Sequence, residues 1–226
     1  MEIKPIAYIR TDFKDKFGIP RQSGRSKSLK GEIIFEEKYK NSEIIRGIEN
    51  FSHLWLIFGF SDAKYDGKSM TVRPPRLGGN TRVGIFASRS PYRPNSLGLS
   101  VVKLESVDYE NITLTVSGID LLDNTPIYDI KPYLPYADSV EEAFGSYGDE
   151  NSSYKLSVIF PPDELQKIDY EKRAALIECL SDDPRPSYHN DDRIYSMKYD
   201  RYDIHFKVFE NTLTVIGVDK DIRGKI

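Results

Sequence analysis

The chain has 226 residues, 39% of them apolar and 30% charged, a balance that excludes disorder and suffices for one sizeable core with a smaller second lobe. Its longest apolar run, from Leu54 to Phe60, is too short for a membrane-spanning helix. The net charge of −3 argues against nucleic acid only until it is mapped: residues 1–104 hold 19 Lys and Arg against 10 Asp and Glu, whereas residues 105–226 hold 13 against 25.

Strands dominate the first part of the chain. Candidates are Ile3–Arg10, Ile33–Glu36, His53–Phe60, Arg82–Ala87 and Leu97–Val107. Between them Ser42–Glu49 reads as a short helix capped by Ser42. Asn111–Ile119 alternates most cleanly, with Ile112, Leu114 and Val116 on one face and Thr113, Thr115 and Ser117 on the other, which predicts a half-buried strand. Many strands and few long helices predict a mainly β fold, a barrel or a sandwich. Tyr136–Ser153, rich in Gly, Ser and acid and devoid of base, reads as a linker or mobile loop. Pro161-Pro162-Asp163 then opens a helix whose apolar positions, Leu165, Ile168, Leu176, Ile177 and Leu180, carry it to about Leu180. Asp183-Pro184-Arg185-Pro186 ends it. Two alternating strands follow, Tyr202–Val208 and Thr212–Val215, with Asn211 in their turn. The expected domains are residues 1–140, and residues 155–226 as a small α+β lobe.

Several chemistries lack their equipment. No Gly-x-Gly-x-x-Gly occurs, so neither a dinucleotide fold nor the usual Rossmann methyltransferase loop is signalled. Gly67-Lys68-Ser69 has the ending of a phosphate-binding loop, but Asp62 stands where its first glycine belongs. His53, His189 and His205 are scattered, and with a single cysteine they predict no metal site. His53, inside an apolar strand, reads as a hydrogen-bonded core histidine. The lone Cys179 can form no internal disulfide, and Met1-Glu2-Ile3-Lys4-Pro5 carries no signal pattern, so the cytoplasm is the expected location.

What is present is a set of basic, proline-bounded loops. Gly67–Leu104 carries Lys68, Arg73, Arg76, Arg82, Arg89, Arg93 and Lys103 and no acid, and residues 16–31 repeat the pattern with Lys16, Arg21, Arg25, Lys27 and Lys30. Blocks like these attract phosphate, although a charge run can also be a solvated face. In Val72–Asn80 and Arg89–Asn95, prolines set the backbone beside each arginine. Such loops can aim a guanidinium fork at a carboxylate or phosphate, or simply let the arginine cap carbonyls. A second cluster ends the alternating strand at Ser117-Gly118-Ile119-Asp120, where an acid beside a glycine can accept from ribose hydroxyls or an amino group. Asp129 and Lys131, two apart on a predicted strand, share a face; a plain surface pair is the alternative.

Six strings occur in one order along nearly the whole chain: IPRQSG at Ile19–Gly24, RGIENFSHLWLIF at Arg46–Phe58, TVRPPRLGGN at Thr71–Asn80, RSPYRPN at Arg89–Asn95, DIKPYLPYADS at Asp129–Ser139 and DPRPSY at Asp183–Tyr188. Together they closely resemble the bacterial TrmO (TsaA-like) family. The resemblance implies a single β-barrel, a homodimer, and an S-adenosylmethionine-dependent tRNA methyltransferase acting on N6 of threonylcarbamoyladenosine at tRNA position 37, in the anticodon stem-loop. It implies a cofactor pocket made by the backbone around Ser23, Gly24 and Arg25, together with Ser61, Asp62, Arg89, Leu99, Ser117, Gly118, Ile119 and Asp120. Ser61 and Asp62 lie where the family varies, and Ser23 stands where relatives often carry proline.

Methyl transfer from a sulfonium is an in-line displacement that needs alignment more than covalent help. The target nitrogen is urea-like and must lose a proton, for which Asp129 is the candidate acceptor, with Lys131 beside it. Arg73, Arg76, Asn80, Arg93, Asn95 and Arg185 are the candidate substrate-binding residues, and Tyr92, Tyr133 and Tyr136 can stack on unpaired bases. Two rivals remain: a non-catalytic module that binds the cofactor or RNA through the same basic face, and a methyltransferase for another acceptor.

Overall fold

A computed structural model describes residues 2–63, 65–74, 77, 80–150, 152–186 and 192–220. Arg76, Gly78, Gly79, Ser187, Tyr188 and His189 lie outside the described residues.

In chain order the first eight strands are β1 (Ala7–Arg10), β2 (Lys30–Phe35), β3 (His53–Gly59), β4 (Thr71–Val72), β5 (Val83–Gly84), β6 (Leu97–Asp108), β7 (Thr113–Ser117) and β8 (Thr125–Pro132). All but β4 and β5 close one antiparallel barrel in the order β1-β2-β7-β6-β3-β8. Closure leaves no sheet edge unpaired, and period-two alternation sends Ile9, Ile33, Leu54, Leu56, Val102, Leu114 and Val116 into its core. β4 and β5 pair separately as a short hairpin, with the described basic residues Arg73 and Arg82 directly after β4 and before β5.

Three expectations for the strands and turns of this half need correction. The helix expected at Ser42–Glu49 is two 3-10 turns, Ser42–Ile45 and Ile48–Asn50; Asn41 caps the first by accepting from the Glu43 N–H, and Gly47, at φ 83, interrupts. The strand expected over Arg82–Ala87 stops at Gly84, because its partner offers only Thr71 and Val72 to pair with, and Ile85–Ala87 turns as 3-10 helix. β7 is also more covered than half-buried: Thr113 and Ser117 are buried as well. The Ser117 hydroxyl donates to Glu105 at 2.6 Å, and Glu105 is the extra residue of a bulge in β6.

The segment 136–153 is not featureless, since it holds part of α1 (Pro135–Asp138) and all of α2 (Tyr147–Glu150). Beyond it β9 (Ser157–Ile159), β10 (Tyr195–Tyr199), β11 (Tyr202–Phe209) and β12 (Thr212–Lys220) form a sheet in the order β10-β11-β12-β9, with β9 parallel to β12. The single helix expected from Pro162 is two, α3 (Pro162–Leu165) and α4 (Tyr170–Ser181). Asp169 at the break is held by Arg201 through its carboxylate and by the Tyr202 hydroxyl through its N–H. α4 buries Ala175, Leu176, Cys179 and Leu180.

One hydrophobic core runs through both halves. The joint is the long loop between β1 and β2. Phe13 packs edge-on against Tyr199 at 5.4 Å, and Phe17 stacks over Tyr195 and Phe206. Lys172 of α4 reaches Asp12 at 2.6 Å. Gly18, at φ +95, lies so close to Met197 that a Cβ would sit 2.1 Å from the sulfur.

Candidate functional site

The first cluster forms where the β1–β2 loop meets the end of β7. Register decides it. Ser117 pairs with Lys103, and continuing that antiparallel register three residues sets Asp120 opposite Ser100. The Ser100 hydroxyl indeed donates to the Asp120 carboxylate at 2.7 Å. Gly118, at φ +73, turns the chain there and is bonded on both sides: its carbonyl accepts from the Gly24 N–H at 2.8 Å, and its N–H donates to the Leu29 carbonyl at 2.9 Å. A Cβ on Gly118 would meet the Gly24 backbone at an ordinary contact distance of 3.6 Å, so it is the positive φ rather than crowding that favours glycine where the two backbones cross. Gly24, at φ +77, faces open space on its own Cβ side.

Burial pushes the Asp120 carboxyl up to about 6, against the lowering pull of the Ser100 hydroxyl, the Ser23 backbone and the Arg89 guanidinium. Arg89 is exposed and donates to the Gln22 side chain at 2.5 Å. Ser23, Gly24, Ser117, Gly118, Ile119, Asp120 and Arg89, far apart in sequence, thus come together. A buried carboxylate, a guanidinium whose charge reaches it and a glycine open on its Cβ side are groups of the kind that a ligand carrying both an ammonium and a carboxylate would engage.

Of the remaining expected members, Leu99, Ser61 and Asp62 are exposed, and Arg25 adjoins the cluster only through its backbone. Arg25 turns its side chain to the C-terminal half: its Nε lies 2.6 Å from Asp182, one terminal nitrogen lies 2.9 Å from the Tyr154 carbonyl, and the other bonds the Ser152 carbonyl. Only its backbone remains beside Gly24. Leu99 neighbours Ser100 but alternates to the outer face of β6, where it is 52% exposed. Ser61 and Asp62 are exposed in the turn after β3, where Lys16 bonds the Asp62 carbonyl at 2.8 Å.

Asp129 and Lys131 lie on β8 opposite Ile57 and Trp55. They share the outer face, 3.4 Å apart, and both are about half exposed or more. Leu99, Ile57 and Asp129 form one row across β6, β3 and β8, so Asp129 stands about 10 Å from Leu99. A bulge between Ile57 and Phe58 leaves Tyr128 unpaired, and its ring covers Gly59. Tyr133 packs against Trp55 at 5.8 Å and against His53 at 6.4 Å. His53 is therefore on the outer row, not in the core, bonded to Ser52 at 2.9 Å.

Of the candidate substrate-binding residues, Arg73, Asn80 and Asn95 are exposed on the hairpin tip and the following loop. Arg93 caps the carbonyls of Ser88 and Ser90 at 3.3 and 3.4 Å and so closes its own loop. Between the hairpin base and that loop lies a cleft of about 330 Å³ lined by Tyr65, Asp66, Ser69, Thr71, Val72 and Tyr92. Arg185 lies elsewhere: it is 8% exposed and forks onto Asp183 with two bonds of 2.9 Å. Ser100 and Gln22 were missed by sequence reasoning. A hydroxyl at an inward position of an apolar strand was a usable signal for Ser100; Gln22 carried none. Burial pushes the Cys179 thiol up to about 12, which removes it as a nucleophile.

No helix among the described residues is long and apolar enough to cross a membrane, and no group of three or more His, Cys, Asp or Glu among them is placed to hold a metal ion. Comparison with known proteins gives one consistent result. The family model of the tRNA-methyltransferase O N-terminal domain matches residues 8–139, and that of the TrmO C-terminal domain matches residues 153–221. The tRNA (adenine(37)-N6)-methyltransferase of Escherichia coli (strain K12) is 37% identical over 229 residues, covering 96% of this chain and 97% of the relative. A putative S-adenosylmethionine-dependent methyltransferase, RcsF, of Pseudomonas aeruginosa is 41% identical, covering 90% of this chain and 91% of the relative. The crystal structure of TrmO from P. aeruginosa superposes with a TM-score of 0.80 at 32% identity, over 97% of each chain. With both halves matched in order and the barrel shared, the chain belongs to the tRNA-methyltransferase O family.

Proposed function

We propose that this protein is a cytoplasmic, homodimeric S-adenosylmethionine-dependent tRNA (adenine(37)-N6)-methyltransferase whose acceptor is N6 of threonylcarbamoyladenosine, a modification that tunes anticodon decoding. The observation that carries the reading is the crossing of Gly24 with Gly118 beside Asp120 and Arg89, at the root of an acid-free run of basic loops. Named relatives that act on adenine 37 of tRNA support the acceptor class.

Bound S-adenosylmethionine supplies an electrophilic methyl group. The chain's residues do the rest. Asp120 accepts from the amino end of the cofactor or its ribose, Arg89 pairs with its carboxylate, and the Ser23–Gly24 and Gly118–Ile119 backbones present N–H and C=O groups to it. Arg73, Asn80 and Asn95 meet the anticodon-loop phosphates, together with Arg76. Tyr65 and Tyr92 flank the cleft by the hairpin and offer ring faces to unpaired bases. Asp129 takes the proton released from N6, while Lys131, 3.4 Å away, meets the threonyl carboxylate. Neither Arg25 nor Arg185 has a free guanidinium for these roles, because both are engaged with acids of the C-terminal half. Support for a dimer comes from apolar side chains left in solvent, Phe86, Tyr136, Val140 and Phe144 among them.

Transfer of radioactive methyl groups to bulk tRNA, followed by nucleoside mass spectrometry, tests the reading. The expected product is methylated threonylcarbamoyladenosine. Cofactor binding without transfer means a non-catalytic module, and a different methylated nucleoside means another acceptor.

A further inference from the structure

The loop that carries Ser23 and Gly24 belongs to the 19-residue connection between β1 and β2, and it has no regular structure of its own. Yet it is held from two sides. On the barrel side Gly24 and Leu29 bracket Gly118 through backbone bonds of 2.8 and 2.9 Å. On the far side stands Glu178, in the last turn of α4. Its carboxylate accepts from the Ser28 N–H and the Ser28 hydroxyl, each at 2.8 Å, and from the hydroxyl of fully buried Ser26 at 3.1 Å. The Leu29 N–H closes a turn on the Ser26 carbonyl at 3.3 Å. Four residues further on, at the C-cap of α4, Asp182 has a side chain only 3% exposed and takes Arg25 at 2.5 Å and Lys155 at 3.4 Å. Lys155 also donates to the Arg25 carbonyl at 3.0 Å. Residues 24–29 are thus clamped between the end of β7 and one face of α4.

We propose that Glu178 is a positioning residue for the methyl donor: through Ser26 and Ser28 it sets the Ser23–Gly24 backbone against Gly118 and Asp120, so that the C-terminal lobe governs cofactor affinity without touching the cofactor. The inference rests on the cofactor-site reading above. Its physical basis is pre-organisation. A long loop left free would have to be ordered at the moment of binding, and the cost would appear as lost affinity. Charge-assisted bonds to a partly buried carboxylate are strong enough to hold it beforehand. Because the clamp acts before the cofactor arrives and lies away from the basic hairpin, it sets cofactor affinity and leaves RNA affinity alone.

The test measures S-adenosylmethionine binding by calorimetry, steady-state methylation of tRNA, tRNA binding and melting temperature for the full-length protein and for Glu178→Ala, Glu178→Gln and Ser28→Ala. Glu178→Ala should raise the Kd and the KM for S-adenosylmethionine roughly tenfold or more. The value of kcat at saturating cofactor and the Kd for tRNA should stay at the wild-type level. Glu178→Gln, which keeps one acceptor oxygen and the side-chain shape, should recover part of the affinity. Ser28→Ala should produce a smaller rise that is not additive with Glu178→Ala. A folded Glu178→Ala protein with wild-type cofactor affinity overturns the proposal. If that variant does not fold, Glu178→Gln and Ser28→Ala decide, and wild-type affinity in both overturns it. A wild-type protein that binds no S-adenosylmethionine overturns the cofactor site itself.

Discussion

The hydroxyl of Ser100 and the carboxylate of Asp120 lie 2.7 Å apart, joining an inward-facing position of β6 to the turn that follows β7. The pair is the seam at which the barrel wall meets the candidate cofactor site. Desolvation raises the Asp120 carboxyl to about 6, and Ser100 is the first of the groups that oppose the rise. A carboxylate in that state is best satisfied by an incoming cation.

Cofactor affinity should therefore depend on pH in a stated direction. Above about pH 6 Asp120 is ionised and ready to accept. As the pH falls through that value the free protein takes up a proton that must leave before an ammonium can bind. Affinity for S-adenosylmethionine should drop up to about tenfold per pH unit below 6, and Asp120→Asn should flatten the profile at a lower level. A pH profile of Asp120→Asn that parallels the wild type would remove Asp120 from the site.

Stability should move the other way. The raised carboxyl means that, between the ordinary Asp range and about pH 6, the folded protein holds a proton that the unfolded chain has released. Stability thus falls as the pH rises through this window, and the full cost, at most about 3 kcal/mol, persists above it. Asp120→Asn should melt higher than the wild type near neutral pH, and the gap should close by about pH 4. Thermal melts across this range check both halves of the statement.

RNA binding should be far more salt-sensitive than cofactor binding. Lys68, Arg73 and Arg82 are exposed in an acid-free stretch. Arg73→Ala should lower tRNA affinity and reduce the slope of log K against log salt by roughly one, with S-adenosylmethionine affinity unchanged. Equal salt slopes for both ligands would count against a separate RNA face.

Mixing experiments address assembly. With a charge excess of opposite sign in each half and apolar residues such as Phe144 in solvent, a two-fold dimer can bring one subunit's basic loops to its partner's cofactor site. Asp120→Ala and Arg73→Ala chains, each impaired alone when cofactor and tRNA are below saturation, should regain part of the activity when exchanged into heterodimers. No recovery despite demonstrated exchange, or a monomer by light scattering at assay concentration, would leave each subunit with a self-contained site.

Local rules carried much of this structure. Alternation identified β7, β11 and β12, because a strand facing a core must repeat every two residues whatever it pairs with. The glycine and acid at the end of β7, and the basic, proline-set loops, were visible as residue types in order. The strings shared with the TrmO family named the fold and the family before any geometry was available.

Pairing and long-range contact decided the rest. The length of β5 depended on how much of β4 was there to bond, and the break between α3 and α4 depended on Arg201 and Tyr202, more than 30 residues away. The same held for side-chain roles. Arg25, Arg93 and Arg185 are alike in sequence, three arginines in Gly- or Pro-bounded loops, yet two are tied to acids of the C-terminal half and one to its own loop's carbonyls. A residue's type and local spacing determine which contacts it can make. Which one it makes depends on the partners the closed barrel and the docked C-terminal sheet bring within reach, and that is why Glu178 could be connected to Gly24 only in three dimensions.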